Sequence, residues 1–303
     1  MNKNILINLN NSLELDKFTL LDIGASGGIE KKWAKFEEFI NIVGYEPDKN
    51  EFDNLIRNNK TPKNIFINAA LGRNKTESKL YITKKQQLSS LLKPDPSIVN
   101  KYLNSERFDI TNEVDVHLIT VDQSLQDAKI KTIDFFKIDT QGSELDILKG
   151  SNKTLEHVVG IEIEVEFNPI YVGQPIYSEV DTYIRNLGFE LMDFEPAYYL
   201  RKENNRNYSS SGQIMFANAI YFPNDQYLKE KINKDFLRKL VFTSLVYKKY
   251  DYTMYLLTNY SEMLSEKISK SVVDYLDSVK VNRPSFIKRI YNILNNISRD
   301  RAT

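Results

Sequence analysis

Leu20-Leu21-Asp22-Ile23-Gly24-Ala25-Ser26-Gly27-Gly28, followed by Ile42-Val43-Gly44-Tyr45-Glu46-Pro47-Asp48, is an apolar run broken by glycines and then a second run that ends in a carboxylate. The first run predicts a buried strand over 20–25, stopped by a turn whose glycines let backbone approach a ligand closely. Glu46 stands twenty-two residues after Gly24, where doubly wound folds grip ribose hydroxyls. A dinucleotide pyrophosphate prefers G-x-G-x-x-G, and Gly24-x-x-Gly27-Gly28 departs from it. Asp22, inside the strand, would face a cationic or hydrogen-bonding ligand. The stretch therefore reads as a nucleoside site that suits S-adenosylmethionine better than NAD, the alternative being an ordinary tight turn.

Outward from this stretch, short β-branched runs alternate with amphipathic ones, the pattern of a mostly parallel sheet covered by helices. Strands are expected at 20–25, 40–45, 65–70, 114–121, 133–138, 158–167, 189–194 and 213–222, with a small extra strand at 80–82. Helices are expected at 29–39, 48–59, 144–149 with an extension, and 178–187, the last closed by Gly188. Residues 84–107 carry Pro94 and Pro96 without a steady period, and a loop of that length is usually functional or disordered. A second polar interruption, 201–212, separates the last two strands and reads as a hairpin lip or a solvated loop.

The chain has 303 residues, 41% of them hydrophobic, enough for one large core with an appendage. No apolar stretch is long enough to span a bilayer, and residues 1–8 lack the core of a signal peptide, so a cytoplasmic location is expected. The absence of cysteine excludes disulfides, thiolate metal sites and a cysteine nucleophile, and two histidines leave little for zinc. A formal charge of zero argues against a nucleic-acid partner, yet residues 225–303 carry +6 and residues 1–224 carry −6. Two parts follow: a catalytic domain over 1–224 and a basic helical extension over 225–303. In the extension Phe286, Ile290, Leu294 and Ile297 form an apolar stripe after Pro284, beside Lys280, Arg283, Lys288 and Arg289. Either protein covers such a stripe, as in a homo-oligomer, or it rests on an anionic membrane surface, here the inner face.

A further segment runs Ile133-Asp134-Phe135-Phe136-Lys137-Ile138-Asp139-Thr140-Gln141-Gly142-Ser143-Glu144-Leu145-Asp146-Ile147-Leu148-Lys149-Gly150. With Thr120-Val121-Asp122 before it, Asn68-Ala69-Ala70-Leu71-Gly72 and the glycine turn in the same order, the chain resembles the FkbM-type methyltransferase family over about 20–222. The resemblance implies an α/β fold of the class I methyltransferase type: a Rossmann-like, doubly wound, mostly parallel seven-stranded sheet, here with a helical C-terminal extension. It also implies S-adenosylmethionine-dependent methylation of oxygen, often on sugars or polyketides. The leading reading is an O-methyltransferase acting on a sugar hydroxyl of a glycan, nucleotide sugar or lipid-linked sugar. The alternative is a degenerate binding module that partners surface-polysaccharide enzymes, against which intact Asp22, Glu46 and Asp139 argue.

Within that frame each part of the cofactor has a candidate. Gly24, Ala25, Ser26 and Gly28 would face the methionine moiety with backbone donors, and Glu46 would accept both ribose hydroxyls. Ala69 and Ala70 would leave space for a flat adenine ring, or serve as plain core. Asp139, at the end of its strand, is the first choice for an acceptor-side base or a metal ligand; otherwise it holds the turn through Gly142 and Ser143. Participation of Mg²⁺ is left open. Strict alternation puts Glu162, Glu164 and Glu166 on one face of a central strand, where three unpaired carboxylates would be prohibitive. Glu164 and Glu166 are candidate bases or sugar-hydroxyl acceptors; Glu162 suits a salt bridge. His117 with Asp115 reads as a strand-surface pair before a metal fragment, and Trp33, Tyr171 and Tyr177 as core before a sugar platform.

Overall fold

Residues 19–23 and 41–45 are buried almost throughout, as strands flanked by neighbours and covered on both faces must be. The computed structural model describes residues 3–203 and 209–279. In chain order the strands are β1 (Thr19–Ile23), β2 (Asn41–Tyr45), β3 (Ile65–Ile67), β4 (Ala70–Leu71), β5 (Thr76–Thr83), β6 (Ile110–Ile119), β7 (Phe135–Ile138), β8 (Ile161–Glu166), β9 (Phe189–Tyr199) and β10 (Gln213–Pro223). The helices are α1 (Lys3–Leu13), α2 (Lys31–Ala34), α3 (Lys49–Asn58), α4 (Pro96–Val99), α5 (Val121–Asp127), α6 (Glu144–Lys149), α7 (Asn152–Leu155), α8 (Tyr177–Asn186), α9 (Asp225–Lys231), α10 (Lys234–Val246), α11 (Tyr250–Asn259) and α12 (Glu266–Ser278).

A seven-stranded sheet has the order β3-β2-β1-β7-β8-β10-β9, parallel from β3 to β8, with β10 antiparallel to both its neighbours. The chain leaves β1 toward β2 and leaves β7 the opposite way toward β8, so the order reverses between β1 and β7. A crevice opens there at the carboxyl ends of the strands.

One row across the sheet is charged: Asp22 lies opposite Lys137, and Lys137 opposite Glu162. Lys137 Nζ pairs with Asp22 at 2.8 Å and Glu30 at 3.3 Å, while Lys32 Nζ reaches Glu162 at 2.6 Å and the Tyr247 hydroxyl donates to Glu162. The salt bridge expected of Glu162 is therefore present. Helix α10 keeps its charged residues in its first two turns and is buried from Leu240 to Val246. Its Phe242 packs edge-on against Phe18 and Phe36, at 4.9 and 5.0 Å between ring centres.

The structure redraws several expected elements. The 114–121 strand is not in the main sheet: β6 pairs antiparallel with β5 and, at its end, parallel with β4. It stops at Ile119 because the Thr120 side chain accepts the Gln123 amide and starts α5 instead. Asp122 then accepts the Lys153 and Thr154 amides and anchors α7. The 65–70 strand breaks at Asn68, whose amide group donates to the Glu46 and Pro47 carbonyls. Of the 29–39 helix only α2 forms, and Phe36 and Phe39 continue it as tighter i→i−3 turns. The 84–107 loop is folded, its Leu88, Val99 and Tyr102 forming a small core with Phe108, Ile170, Tyr171 and Met215.

The described residues divide into one compact unit within 13–264 and another of 3–12 with 265–279. Helices α9 to α11 thus belong to the sheet's unit, and the expected boundary at 224/225 falls inside it. In the second unit α12 is capped by Ser265 and buries Ile268, Val272 and Tyr275 on one stripe. The stripe of Phe286, Ile290, Leu294 and Ile297 and its basic neighbours lie outside the described residues.

Candidate active site

Where β1 and β7 end, a cavity of about 810 Å³, its open mouth included, takes its walls from Gly24, Ser26, Glu46, Ala69, Ala70 and Asp139. The segment Gln86, Gln87, Ser89, Ser90 and Leu91 forms a further wall. The acids on its lining are Glu46, Asp48, Glu51 and Asp139; no lysine or arginine is among the described residues that line it.

The glycine turn serves the cavity by geometry more than by free donors. The Gly24 and Ala25 amides both donate to the Tyr45 carbonyl, at 3.1 and 3.0 Å, and the Gly28 amide donates to Ala25 at 3.0 Å. Backbone donation from Gly24, Ala25 and Gly28 to a methionine moiety is thereby corrected: those hydrogens are committed to the turn. The Ser26 amide points at the Glu46 carboxylate, and its hydroxyl donates to Glu51 at 3.1 Å. Gly24 itself has φ +83°, and a Cβ there would stand 1.7 Å from the Asp139 carbonyl oxygen.

Glu46 is 6% exposed and accepts the Asp48 amide at 2.8 Å. Asp48 in turn caps α3 through the Asn50 and Glu51 amides. Burial, with the charges of Asp48 and Glu51 added, pushes the Glu46 carboxyl up to about 7. A carboxyl raised on folding adds stability below its unfolded value and loses it as pH rises through the folded one. With 4.5 for the unfolded chain and about 7 for the folded one, the ligand-free protein should lose about 1.4 kcal/mol from Glu46 between pH 6 and pH 8. Thermal melts should fall by roughly 3–5 °C over that interval, and Glu46→Gln should flatten the dependence; equal slopes in both proteins would contradict this assignment.

The turn after β7 is built by a residue absent from the expected set. Glu144 accepts the Thr140 amide at 2.8 Å, the Thr140 hydroxyl at 3.0 Å and the Gly142 amide at 2.9 Å. Glu144, not Asp139, therefore holds the turn, and a carboxylate in the first turn of α6 is the sequence signal for it. Asp139 is left to face the cavity. Gln141, at φ +60°, donates from Nε2 to Asp139 Oδ1 at 2.9 Å and to Glu164, and its Oε1 accepts the Tyr171 hydroxyl at 3.1 Å. Ser90 donates to the Gln141 carbonyl at 2.6 Å, tying the 84–107 segment to this turn.

Glu164 and Glu166 do not line the cavity; they stand buried behind Asp139, 4% and 2% exposed. Burial, with Asp139 and Glu166 beside it, pushes the Glu164 carboxyl well above the usual carboxylate range; burial with Glu144 and Asp139 does the same to Glu166. Asp22 also stands off the cavity, and the cation it meets is Lys137 instead of a ligand. His117 pairs with Glu77 at 2.6 Å on the surface, and Trp33 and Tyr171 are core. Among the described residues no group of three or more acidic or histidine side chains is arranged to hold a metal ion.

No curated protein matches the chain significantly. Among solved structures, a methyltransferase FkbM from Methylobacillus flagellatus is 14% identical with a TM-score of 0.37, the match covering 68% of this chain and 44% of that one. A SAM-dependent methyltransferase from Anabaena variabilis is 8% identical at TM-score 0.37, covering 73% and 84%. The N-terminal domain of EvdMO1, solved with SAH and D-fucose, is 8% identical at TM-score 0.35, covering 74% and 84%. This chain thus spans less than half of the FkbM structure it matches. Residues 22–191, from Asp22 in β1 to Leu191 in β9, match the methyltransferase FkbM domain, and the chain belongs to that family.

Proposed function

We propose that this protein methylates a sugar hydroxyl, with S-adenosylmethionine as donor. The observation that carries the reading is the cavity at the switch point, lined by Glu46, Asp48, Glu51 and Asp139 and by no cation among its described residues. Such a lining repels a pyrophosphate and suits a ligand with a positive sulfonium. Ser26 and Glu46 would hold the ribose side, and Ala69 and Ala70 the adenine. When bound, the cofactor supplies a methyl group on a cationic sulfur. Asp139 accepts the proton of the acceptor hydroxyl at its carboxylate, with Glu164, its carboxyl pushed up by burial and by Asp139, standing behind it. The side-chain amides of Gln86 and Gln87 on the cavity wall favour a polyol acceptor. No helix among the described residues is long and apolar enough to cross a membrane.

Two measurements test this. Incubation with methyl-labelled S-adenosylmethionine and a panel of nucleotide sugars and lipid-linked sugars should label one of them; cofactor binding without any labelled product would favour a binding module. In calorimetry with S-adenosylhomocysteine, Glu46→Gln should lose roughly ten- to a hundredfold in affinity, since a hydrogen-bonded charge is worth about 1.5–3 kcal/mol. Because the ionised carboxylate is the better acceptor, wild-type affinity should rise about tenfold from pH 6 to pH 8. Unchanged affinity in the variant removes Glu46 from the site.

A further inference from the structure

The turn after β7 carries Gln141 at φ +60°, a left-handed conformation that glycine takes at far less cost, and Gly142 follows it. The turn does not need this side chain. Glu144 holds the backbone on both sides of position 141 through the Thr140 and Gly142 amides, and the Ser90 hydroxyl bonds to the Gln141 carbonyl, which any residue supplies. The Gln141 carboxamide is instead used at both ends, on the lining of the cavity. Its Nε2 donates to Asp139 Oδ1 at 2.9 Å and to Glu164, while Oε1 stands 3.1 Å from the Tyr171 hydroxyl. That hydroxyl also lies 2.8 Å from the Leu88 carbonyl, so Tyr171 fixes which way the amide faces and joins it to the wall segment. Gln141 thereby holds a cavity carboxylate and the wall that carries Gln86 and Gln87 in one frame.

Resting on the reading of Asp139 as the group that takes the acceptor's proton, we propose that Gln141 is a positioning residue for methyl transfer: its carboxamide sets the Asp139 carboxylate against the wall that meets the acceptor. Asp139 needs such a guide because its surroundings pull it elsewhere. Lys137, two residues back on β7, attracts it, and Glu164 stands behind it. In-line displacement at a methyl tolerates little error in the placing of the attacking oxygen and its proton acceptor, so a carboxylate left to turn toward Lys137 costs rate and not cofactor binding. The left-handed backbone at 141 is then a strain kept for the sake of its side chain.

Gln141→Gly in the full chain separates positioning from folding, since glycine accepts φ +60° and leaves the bonds of Glu144 and Ser90 in place. Its melting temperature is expected within about 3 °C of wild type, and its affinity for S-adenosylhomocysteine, measured by calorimetry, should be unchanged. Its kcat for methyl transfer to the sugar that the acceptor panel identifies should fall on the order of a hundredfold. Tyr171→Phe, which frees the amide to turn, should lower kcat by less and again leave S-adenosylhomocysteine binding intact. Full turnover by Gln141→Gly overturns the inference and, where Asp139→Asn is inactive, leaves the proposed function standing. A melting temperature or S-adenosylhomocysteine affinity that falls along with turnover makes Gln141 structural and overturns the inference as well. An active Asp139→Asn, or a wild-type protein that labels no sugar of the panel, overturns the inference together with the reading on which it rests.

Discussion

Gly24→Ala is expected to destroy cofactor binding and to cost about 2–5 kcal/mol of folding stability, the strain of a forced backbone adding to a steric overlap. Position 24 sits at φ +83°, which a side chain tolerates poorly. More decisive is the overlap: the new Cβ would lie 1.7 Å from the Asp139 carbonyl oxygen, a backbone atom that cannot rotate aside. Asp139 is fixed to β1 by its own amide, which donates to Ile23 at 2.9 Å, so relief means parting β1 from the end of β7. The cavity walls then separate where Glu46 and Asp139 must face one ligand. Gly28→Ala is the control, with φ +83° but nothing within 4 Å of its Cβ; it should cost only about 1 kcal/mol. Urea unfolding and calorimetry with S-adenosylhomocysteine compare the two. If both variants behave alike, backbone conformation and not the Asp139 contact explains the glycine.

The glycine turn and Glu46 were legible because their meaning is local: a strand, a turn that needs φ > 0, and a carboxylate at the end of the next strand. Asp139 was legible for the same reason, as the last residue before a turn. What hydrogen-bonds that turn was not, since Glu144 and Asp139 are both carboxylates within reach and sequence does not say which one folds back. The donors of the turn misled in the same way, because a free amide and one committed to Tyr45 read identically. The run over 114–121 announced a strand without naming its partner, and β6 pairs with β5, not with the main sheet. The +6 charge of residues 225–303 suggested an appendage, while α10 inside that range is one of the most buried helices of the larger unit. Its burial depends on the aromatic layer it meets, which lies some two hundred residues earlier in the chain.

Lys137→Met should be the most damaging change away from the cavity, at about 3–5 kcal/mol, because it removes one partner of a buried ion pair and strands the other. Lys137 is 6% exposed and Asp22 4%, and they meet from strands 115 residues apart in sequence. Burial already raises Asp22 against the pull of Lys137, and the acids around the lysine, Asp22, Asp139, Glu30 and Glu162, hold its ammonium charged. Without it Asp22 rises further. A raised carboxyl loses its contribution as pH increases, so the deficit of Lys137→Met should be larger at pH 8 than at pH 5, where the stranded acid takes up a proton. Adding Asp22→Leu should recover much of the loss, since replacing both members of a buried pair by apolar groups is often close to neutral. Urea unfolding of the two variants at both pH values measures this. A deficit that is independent of pH, or not relieved in the double variant, would mean that Lys137 serves by filling space and not by balancing the charged row beneath the site.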